Sequence, residues 1–288
     1  MRKFRIMIFD LDNTIYDWYH AFIPSIYAMV GTAADILNCD VQVLLDQLRQ
    51  VHIKHHDVEH PYSLLETQLV EEVIRERGVD YVWQLLDPAF HIFNRTRKAN
   101  LKLFPGVIET LDVLAARGIR LFAYTDSTAI AAWGRISRLG IGERFENVYC
   151  REGGRRNSQL PAPRTEASFA TDRVVELPAF DTKPNPRVLA DIVAAQNERM
   201  RDVAYVGDSL TKDILMAKRA QCFAIWAKYG VYTDREMYNR LVRISHWTAE
   251  DIRLERDYAV QAKAIEPDLI CERSITELID KIEGPASP

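Results

Sequence analysis

Two aspartates one residue apart, Asp10 and Asp12, follow an apolar run that suits the middle of a sheet. In a poorly solvated pocket the two ionised carboxylates repel each other, and both repel a phosphate ester. Two like charges about 4 Å apart cost on the order of 4 kcal/mol at an effective dielectric of 20. A hard divalent cation removes that obstacle, and Mg²⁺ binds through one or two carboxylates together with substrate phosphate. The pair therefore indicates two carboxylates that work beside a cation, with a different role for each.

More polar side chains follow at the ends of later apolar runs. Thr125 and Asp126 close one run, and Asp208 follows another, with Asp213 close behind it. Lys183 lies in a proline-rich loop in front of a predicted helix. Because ligands of open α/β sheets bind outside the carboxyl ends of the strands, we expect these side chains to meet at one rim.

Each of these side chains also has a purely structural interpretation. Thr125 and Asp126 can cap a helix that begins near Ser127, and Asp213 can simply begin a helix. Lys183 on its own is an ordinary surface lysine. Only the combination of motifs favours the functional interpretation.

Apolar strands alternating with helices are the elements that must position these residues. Strand-like runs occupy residues 4–9, 119–124, 174–177, 203–206, 222–226 and 268–271. Continuous apolar strands between helices predict an α/β fold with a doubly wound, mostly parallel sheet covered on both faces.

One interval breaks this alternation. From about residue 17 to residue 103, apolar residues recur at helical spacing and we find no convincing strand. We predict an inserted α-helical cap domain at residues 17–103 and an α/β core domain at residues 1–16 and 104–288. Pro105 marks the return to the core, since proline favours the first turn of a helix.

The four motifs, in this order, resemble those of the haloacid dehalogenase-like (HAD) superfamily of hydrolases, whose core is Rossmann-like. The resemblance implies that Asp10 is the nucleophile that forms an aspartyl-phosphate. It implies that Asp12 is first the general acid and then the general base. It also implies a magnesium site made by Asp10, Asp208 and the main-chain carbonyl of Asp12, with Asp213 in support.

The resemblance assigns the substrate phosphate to the second and third motifs. It implies that the Thr125 hydroxyl donates to a phosphoryl oxygen and that Lys183 neutralises the phosphoryl group and the nucleophile. Asp126, in the same phosphate-binding motif, departs from the family's pattern, in which this position is often Asn. Since an ionised carboxylate facing phosphate is unfavourable, we expect Asp126 to cap the following helix or to take a raised pKa near other acids.

Within the superfamily, the acidic residues favour the phosphatase branch. Dehalogenases need no metal and lack the second acid, and P-type ATPases have Thr at the position of Asp12. A phosphomutase shares all four motifs and stays an alternative, as does a non-catalytic phosphate-binding protein of the same fold. The insertion looks like a C1-type cap, and residues 12–16 look similar to pyrimidine nucleotidase relatives. A nucleoside monophosphate or a sugar phosphate is therefore the first expectation for the substrate.

Composition sets the class of protein and of partner. The 288 residues are 48% hydrophobic and carry a net charge of −4, so no overall field favours polymeric nucleic acid or an anionic membrane. Four scattered cysteines without a CxxC pair indicate free thiols in a reducing compartment. We find no signal peptide and no uninterrupted apolar stretch near the ~20 residues of a membrane span, and we expect a cytoplasmic protein acting on a small phosphorylated metabolite.

Three further segments carry predictions. Residues 151–168 indicate a long exposed loop with a basic face, and residues 284–288 a disordered tail. Residues 232–265 predict two helices, the second with a capping box from Thr248 to Asp251. His52, His56 and His60 share one helical face, which makes a zinc site an alternative to ordinary polar histidines or substrate contacts.

Overall fold

A seven-stranded parallel sheet forms the centre of the protein. The computed structural model describes residues 2–60, 62–153, 171–231 and 234–285. The strands are β1 Arg2–Lys3, β2 Ile6–Phe9, β3 Arg120–Thr128, β4 Val148–Arg151, β5 Val174–Leu177, β6 Val203–Gly207, β7 Phe223–Ala227, β8 Leu269–Cys271 and β9 Ile282–Glu283. The sheet order is β5-β4-β3-β2-β6-β7-β8, and β1 pairs separately with β9. All of these pairs are parallel, which confirms the predicted fold class.

The side chains of β2 explain why the sheet is covered on both faces. Met7 and Phe9 pack into one apolar cluster, whereas Ile6 and Ile8 pack into another on the opposite face. This alternation is the pleat of an extended chain, and helices bury both faces. The helices are α1 Trp18–Leu37, α2 Val41–His55, α3 Gln68–Arg77, α4 Val79–Asn100, α5 Val107–Ala116, α6 Ala129–Arg138, α7 Pro186–Ala195, α8 Leu215–Arg219, α9 Arg235–Ile244 and α10 Ala249–Ala262.

The six predicted strands are all present; residues 174–177 match β5 at both ends, and the other five have shifted ends. β3 runs on to Thr128, so the helix predicted near Ser127 begins only at Ala129. The sequence prediction missed β4, whose apolar part is only Val148 to Cys150 and is too short to show a period. The two helices predicted at residues 232–265 are α9 and α10, and the capping box of Thr248 and Asp251 is confirmed.

The helices from α1 to α4, which follow β2, bury an apolar cluster of their own. Phe22, Ile26 and Leu86 belong to it, and so do Leu241 and Ile244 of α9, which lies outside the insertion in sequence. We call the elements from α1 to α4 the helical insertion. Its residue bounds of 17–103 stay a prediction.

Helix α1 needs separate mention because of its composition. It is long and apolar enough to cross a membrane by length and composition, the one such helix in the part of the chain described, although we expected none. Half of its apolar window is buried within the protein, where Phe22 and Ile26 meet the insertion's own cluster. Packing in a folded domain therefore accounts for its apolar face, and the helix is weak evidence for a membrane span.

Two predictions fall partly outside the described residues. Residues 154–170 of the predicted loop and residues 286–288 of the predicted tail are among those the structure does not describe. The described cysteines, Cys39, Cys150, Cys222 and Cys271, are free thiols, as predicted.

The predicted row of histidines is not a zinc site. Helix α2 ends at His55, and His56 takes a left-handed conformation, so the helical spacing from His52 to His60 is interrupted. The His52 ring is buried and lies 2.7 Å from the Ile244 carbonyl oxygen of α9 and 3.2 Å from the Ser63 hydroxyl. The His52 side chain therefore stabilises the packing of the insertion against α9.

Instead, a second pair of histidines surrounds a buried carboxylate. The imidazoles of His55 and His60 stack with ring centroids 3.5 Å apart. Their Nε2 atoms lie 2.7 and 2.8 Å from the two oxygens of Glu66, and Lys54 donates to one of those oxygens at 2.9 Å. Burial raises the pKa of Glu66, but the hydrogen bonds from His55, Lys54 and His60 outweigh it and lower the pKa to about 2.

We predict that Glu66→Gln destabilises the protein in a pH-dependent way. A carboxyl whose pKa is lowered on folding stabilises the folded state above its unfolded pKa, here 4.5, and this contribution is lost as the pH falls towards 2. Urea unfolding at neutral pH should show a loss of about 1–3 kcal/mol for Glu66→Gln, shrinking below about pH 4. Glu72→Gln of α3, where the side chain is 47% exposed, is the matched control. A loss for Glu66→Gln that is equal at neutral pH and below about pH 4 would contradict the explanation.

Candidate active site

The nucleophile predicted from the sequence lies at the centre of the sheet. β2 is flanked by β3 and β6, with Phe9 in register with Ala123 and Val206, and the Asp10 amide donates to the Val206 carbonyl at 2.8 Å. The chain places β3 on one side of β2 and β6 on the other, so the strand order reverses at β2. The carboxyl end of β2 is therefore the switch point at which open α/β sheets bind ligands. The Asp10 side chain is buried there.

Lys183 connects Asp10 to a second carboxylate. Its Nζ lies 2.5 Å from Asp10 Oδ1, 2.8 Å from Asp213 Oδ1 and 3.1 Å from the Tyr205 hydroxyl. Burial alone lowers the pKa of Lys183, but the attraction of Asp10 and Asp213 raises it well above the usual value. The lysine is therefore charged, and it stabilises two buried carboxylates at once.

Three carboxylates of the site lie close enough to share one cation. Oxygens of Asp10, Asp208 and Asp213 all lie within 4.8 Å of one another. Burial raises the pKa of Asp10 to about 7, with Asp213 and Asp12 adding to the rise and Lys183 opposing it. The pKa of Asp208 is raised well above its usual value by burial and by the charges of Asp10 and Asp213, with Lys183 opposing the rise. One lysine does not balance three carboxylates, and an all-oxygen donor set fits Mg²⁺.

Asp213 is closer to this cluster than a supporting role requires. It belongs to a π-helical turn, Leu210–Ile214, and its Oδ2 accepts from the Ser209 amide at 3.0 Å. A Cβ at Gly207 would lie 2.3 Å from Asp213 Cγ, so only glycine at this position lets the carboxylate fold back towards β6. Trp226 Nε1 donates to the Asp208 carbonyl at 2.8 Å and helps to fix the same loop.

Asp12 faces a different set of partners. Ser127 Oγ donates to Asp12 Oδ2 at 2.6 Å, and the Arg135 guanidinium lies 3.3 Å from Asp12 Oδ1. Leu11, between the two aspartates, is fully buried in the core, as expected from alternation along an extended chain. The two aspartates therefore have different environments, one beside Lys183 and the other beside Arg135.

Neither Thr125 nor Asp126 caps a helix, and only Asp126 has a hydrogen bond to Lys183. Thr125 is buried, and its hydroxyl accepts from the Ser127 amide at 3.1 Å. Asp126 Oδ1 accepts from the main-chain amide of Lys183 at 3.0 Å, and Lys212 Nζ lies 3.4 Å from Oδ2. The expectation that Asp126 caps the following helix is wrong, because β3 continues past it and α6 begins three residues later.

Several polar side chains of the site escaped the sequence prediction. Thr14, whose hydroxyl donates to Asp10 Oδ2 at 3.2 Å, stands inside the Asp-x-Asp-x-Thr pattern and was detectable from it. Tyr205, which bonds Asp213 at 3.0 Å, is hidden within an apolar strand. Arg135 and Glu59 approach Asp12 from elements far away in sequence, and no local pattern marks them.

Comparison with known proteins assigns the family. A family model of haloacid dehalogenase-like hydrolases matches residues 4–221. The chain belongs to this family, and it is a hydrolase.

Curated relatives are phosphatases by name. The chain is 27% identical over 239 residues to a glyceraldehyde 3-phosphate phosphatase of Methanopyrus kandleri, covering 82% of this chain and 88% of that protein. It is 29% identical over 239 residues to a phosphoglycolate phosphatase of Agrobacterium fabrum, covering 81% of this chain and 83% of that protein.

Solved structures share the fold. A 2-haloacid dehalogenase from Pseudomonas syringae pv. Tomato aligns with a TM-score of 0.53 at 20% identity, over 98% of this chain and 99% of the other. The HAD-hydrolase YfnB from Bacillus subtilis, solved bound to magnesium, aligns with a TM-score of 0.51 at 13% identity, over 97% and 99%. Both likenesses concern the fold alone.

We predict that Gly207→Ala impairs magnesium binding. The added methyl group displaces Asp213, and disturbing the support of a metal site typically costs about tenfold to a hundredfold in affinity. Isothermal titration with Mg²⁺ measures the change. Gly31→Ala is the matched control, since a Cβ there meets no atom within 4 Å. Unchanged affinity in Gly207→Ala would show that Asp213 has no part in cation binding.

Proposed function

We propose that the protein is a Mg²⁺-dependent phosphatase that hydrolyses a small phosphorylated metabolite through an aspartyl-phosphate. One observation carries the proposal: the carboxylate at the end of the central strand, Asp10, contacts Lys183 and shares a cluster with the carboxylates of Asp208 and Asp213. Membership of the HAD-like hydrolases and the phosphatase relatives support it.

In this proposal Asp10 attacks phosphorus. Lys183 and Thr14 each bond one oxygen of its carboxylate, which fixes the direction of attack. The P–O bond to the leaving group breaks as the Asp10 O–P bond forms, giving the aspartyl-phosphate. Mg²⁺, held by Asp10, Asp208 and the main-chain carbonyl of Asp12, would neutralise phosphoryl charge and keep Asp10 ionised. The contacts of Asp213 make it a further candidate ligand.

Asp12 handles the proton on the leaving-group side. It donates a proton to the departing alkoxide and then takes one from the water that hydrolyses the aspartyl-phosphate, which releases inorganic phosphate. Asp12 is more exposed than Asp10, with side-chain exposures of 22% and 7%, as a group that exchanges protons with water requires. Ser127 and Arg135 hold it in place.

Thr125, Asp126 and Lys183 serve the phosphoryl group in this mechanism. The Lys183 ammonium group contributes a positive charge, and the Thr125 hydroxyl donates a hydrogen bond. Because both oxygens of Asp126 are turned to Lys183 and Lys212, its contribution is to position the lysine that binds phosphate. This interpretation removes the repulsion expected from a carboxylate in place of the family's usual Asn.

We also propose that the helical insertion acts as the cap of the site. Glu59, between α2 and the turn Ser63–Glu66, places its carboxylate 2.5 Å from an Arg135 nitrogen of α6 and so joins the insertion to the core. A cap that closes over the substrate excludes bulk water and completes the site.

Small phosphate esters are the proposed substrates, and the cytoplasm the proposed compartment. Triose phosphates and phosphoglycolate are suggested by the relatives' names, and nucleoside monophosphates and sugar phosphates stay as expectations from the sequence. A phosphomutase would transfer the phosphoryl group to a sugar, and a non-catalytic protein would release none. A substrate panel in which free phosphate and phosphorylated sugar products are both measured separates all three.

We predict that Asp10→Asn abolishes turnover of p-nitrophenyl phosphate with Mg²⁺. The amide is isosteric but is neither an effective nucleophile nor an anionic ligand, so release of p-nitrophenol should fall to background. Glu72→Gln, exposed on α3, should retain wild-type activity. Wild-type protein without Mg²⁺-dependent turnover of any ester in a broad panel would refute the proposed function.

We predict that Asp12→Asn traps the phosphorylated enzyme. p-Nitrophenolate departs without a proton, so the first step survives, whereas hydrolysis of the aspartyl-phosphate lacks its base and slows about 10²- to 10⁴-fold. Intact-mass spectrometry should then show protein heavier by one phosphoryl group. Asp10→Asn, which cannot form the intermediate, is the control. Phosphate release at the wild-type rate in Asp12→Asn would remove Asp12 from the mechanism.

A further inference from the structure

Glu59 reaches from the helical insertion towards the proposed general acid. Its Oε1 lies 2.5 Å from Arg135 Nη1 and accepts from Trp18 Nε1 at 3.1 Å. Its side chain is 13% exposed, so the carboxylate is held inside the protein by these partners. Arg135 and Trp18 are not among the residues proposed to bind phosphate or the cation, so neither of those roles explains why the Glu59 carboxylate is buried.

Ser127 connects Glu59 to Asp12. The Ser127 hydroxyl lies 2.6 Å from Asp12 Oδ2, 3.4 Å from Glu59 Oε2 and 2.6 Å from an Arg135 nitrogen. Only one hydroxyl therefore separates the Glu59 carboxylate from that of Asp12. Because Asp12 protonates the departing oxygen in the proposed mechanism, Glu59 stands beside the space that the leaving group occupies.

One guanidinium serves two carboxyl groups in this cluster. Arg135, with a side chain only 8% exposed, contacts both Asp12 and Glu59. Burial raises the pKa of Glu59, but Arg135 more than offsets it and lowers the pKa, so Glu59 is ionised at neutral pH. The single positive charge of Arg135 is therefore already paired with Glu59 and shared with Asp12.

A second arginine, Arg97 on α4, belongs to the insertion itself. Burial lowers the pKa of Arg97, and the charge of Glu59 opposes that shift. The Arg97 guanidinium donates to Asn94 Oδ1 at 3.2 Å. Arg97 is therefore the residue to substitute if the protein prefers substrates that carry a carboxylate.

We propose that Glu59 selects substrates by the charge of their leaving group, favouring neutral, hydroxylated esters over esters that carry a carboxylate. The carboxylate of Glu59 accepts hydrogen bonds from substrate hydroxyls and repels a substrate anion. Arg135 does not offset this repulsion, because its guanidinium already contacts Glu59 and Asp12. This inference rests on the proposed phosphatase function and names the substrate class of that same site.

The test compares two esters that differ in one group. Glyceraldehyde 3-phosphate carries an aldehyde where 3-phosphoglycerate carries a carboxylate, and kcat/KM is measured for each with Mg²⁺. The wild type should favour the aldehyde at least about tenfold, because juxtaposed like charges are strongly disfavoured at a buried site. In Glu59→Gln, which removes the charge at constant shape, this ratio should fall at least about fivefold.

Two variants control the comparison. Glu72→Gln makes the same change at an exposed position of the insertion and should keep the wild-type ratio. Glu59→Asp keeps the negative charge and should therefore also keep the wild-type ratio of the two kcat/KM values. If thermal unfolding shows that Glu59→Gln does not fold, Glu59→Asp replaces it in the comparison. In that case a ratio in Glu59→Asp as low as fivefold below the wild type overturns the inference.

Three results would overturn the inference. The first is a wild-type preference for 3-phosphoglycerate. In that case, loss of 3-phosphoglycerate turnover in Arg97→Met would show that Arg97 binds the substrate carboxylate. The second is a ratio in Glu59→Gln equal to that in Glu72→Gln. The third is a wild type inactive on every ester, which overturns the proposed function as well. Turnover of p-nitrophenyl phosphate with a reversed ratio overturns this inference alone.

Discussion

The ammonium group of Lys183, buried between Asp10 and Asp213, is the interaction on which the rest of the site depends. Its two short contacts, 2.5 and 2.8 Å, bring together the ends of two neighbouring strands and a loop that follows β5. Removing one partner of a buried ion pair typically costs about 3–5 kcal/mol, because the other charge stays buried and unpaired. The site is therefore stable only as a whole. Asp126 contributes by holding the main chain of Lys183, and Gly207 by making room for Asp213.

The fold and the part of the site around Asp10 were predictable from the sequence, because both depend on local sequence patterns. Buried parallel strands are continuous apolar runs, and polar residues directly after them lie on one rim by topology. Asp10, Asp208 and Lys183 were found in this way, and the structure brings them together. Asp213 was expected only in support, yet its carboxylate lies as close to the cluster as the others.

The other side of the site was not predictable because its contacts join distant segments. Arg135 is one polar residue on an amphipathic helix, and Glu59 one acid in a histidine-rich stretch, so neither differs from a solvated surface residue in a single sequence. The same limit explains the histidines. The spacing of His52, His56 and His60 is helical, but the chain turns after His55 and places His55 and His60 around Glu66 instead. Only the folded chain shows which polar residues are buried together.

In the proposed mechanism, the two ion-pair groups divide the chemistry between the two parts of the protein. Asp10, Lys183 and Asp213 all lie outside the helical insertion, so the groups proposed for the attack on phosphorus need no side chain from it. Asp12 also lies in the core, but its arginine is shared with Glu59 of the insertion. In that mechanism, proton transfer depends on how the insertion packs against α6, whereas the attack on phosphorus does not. Substitutions in the insertion should then change which leaving groups are accepted without altering the carboxylates proposed to hold the cation, because the two groups share no side chain.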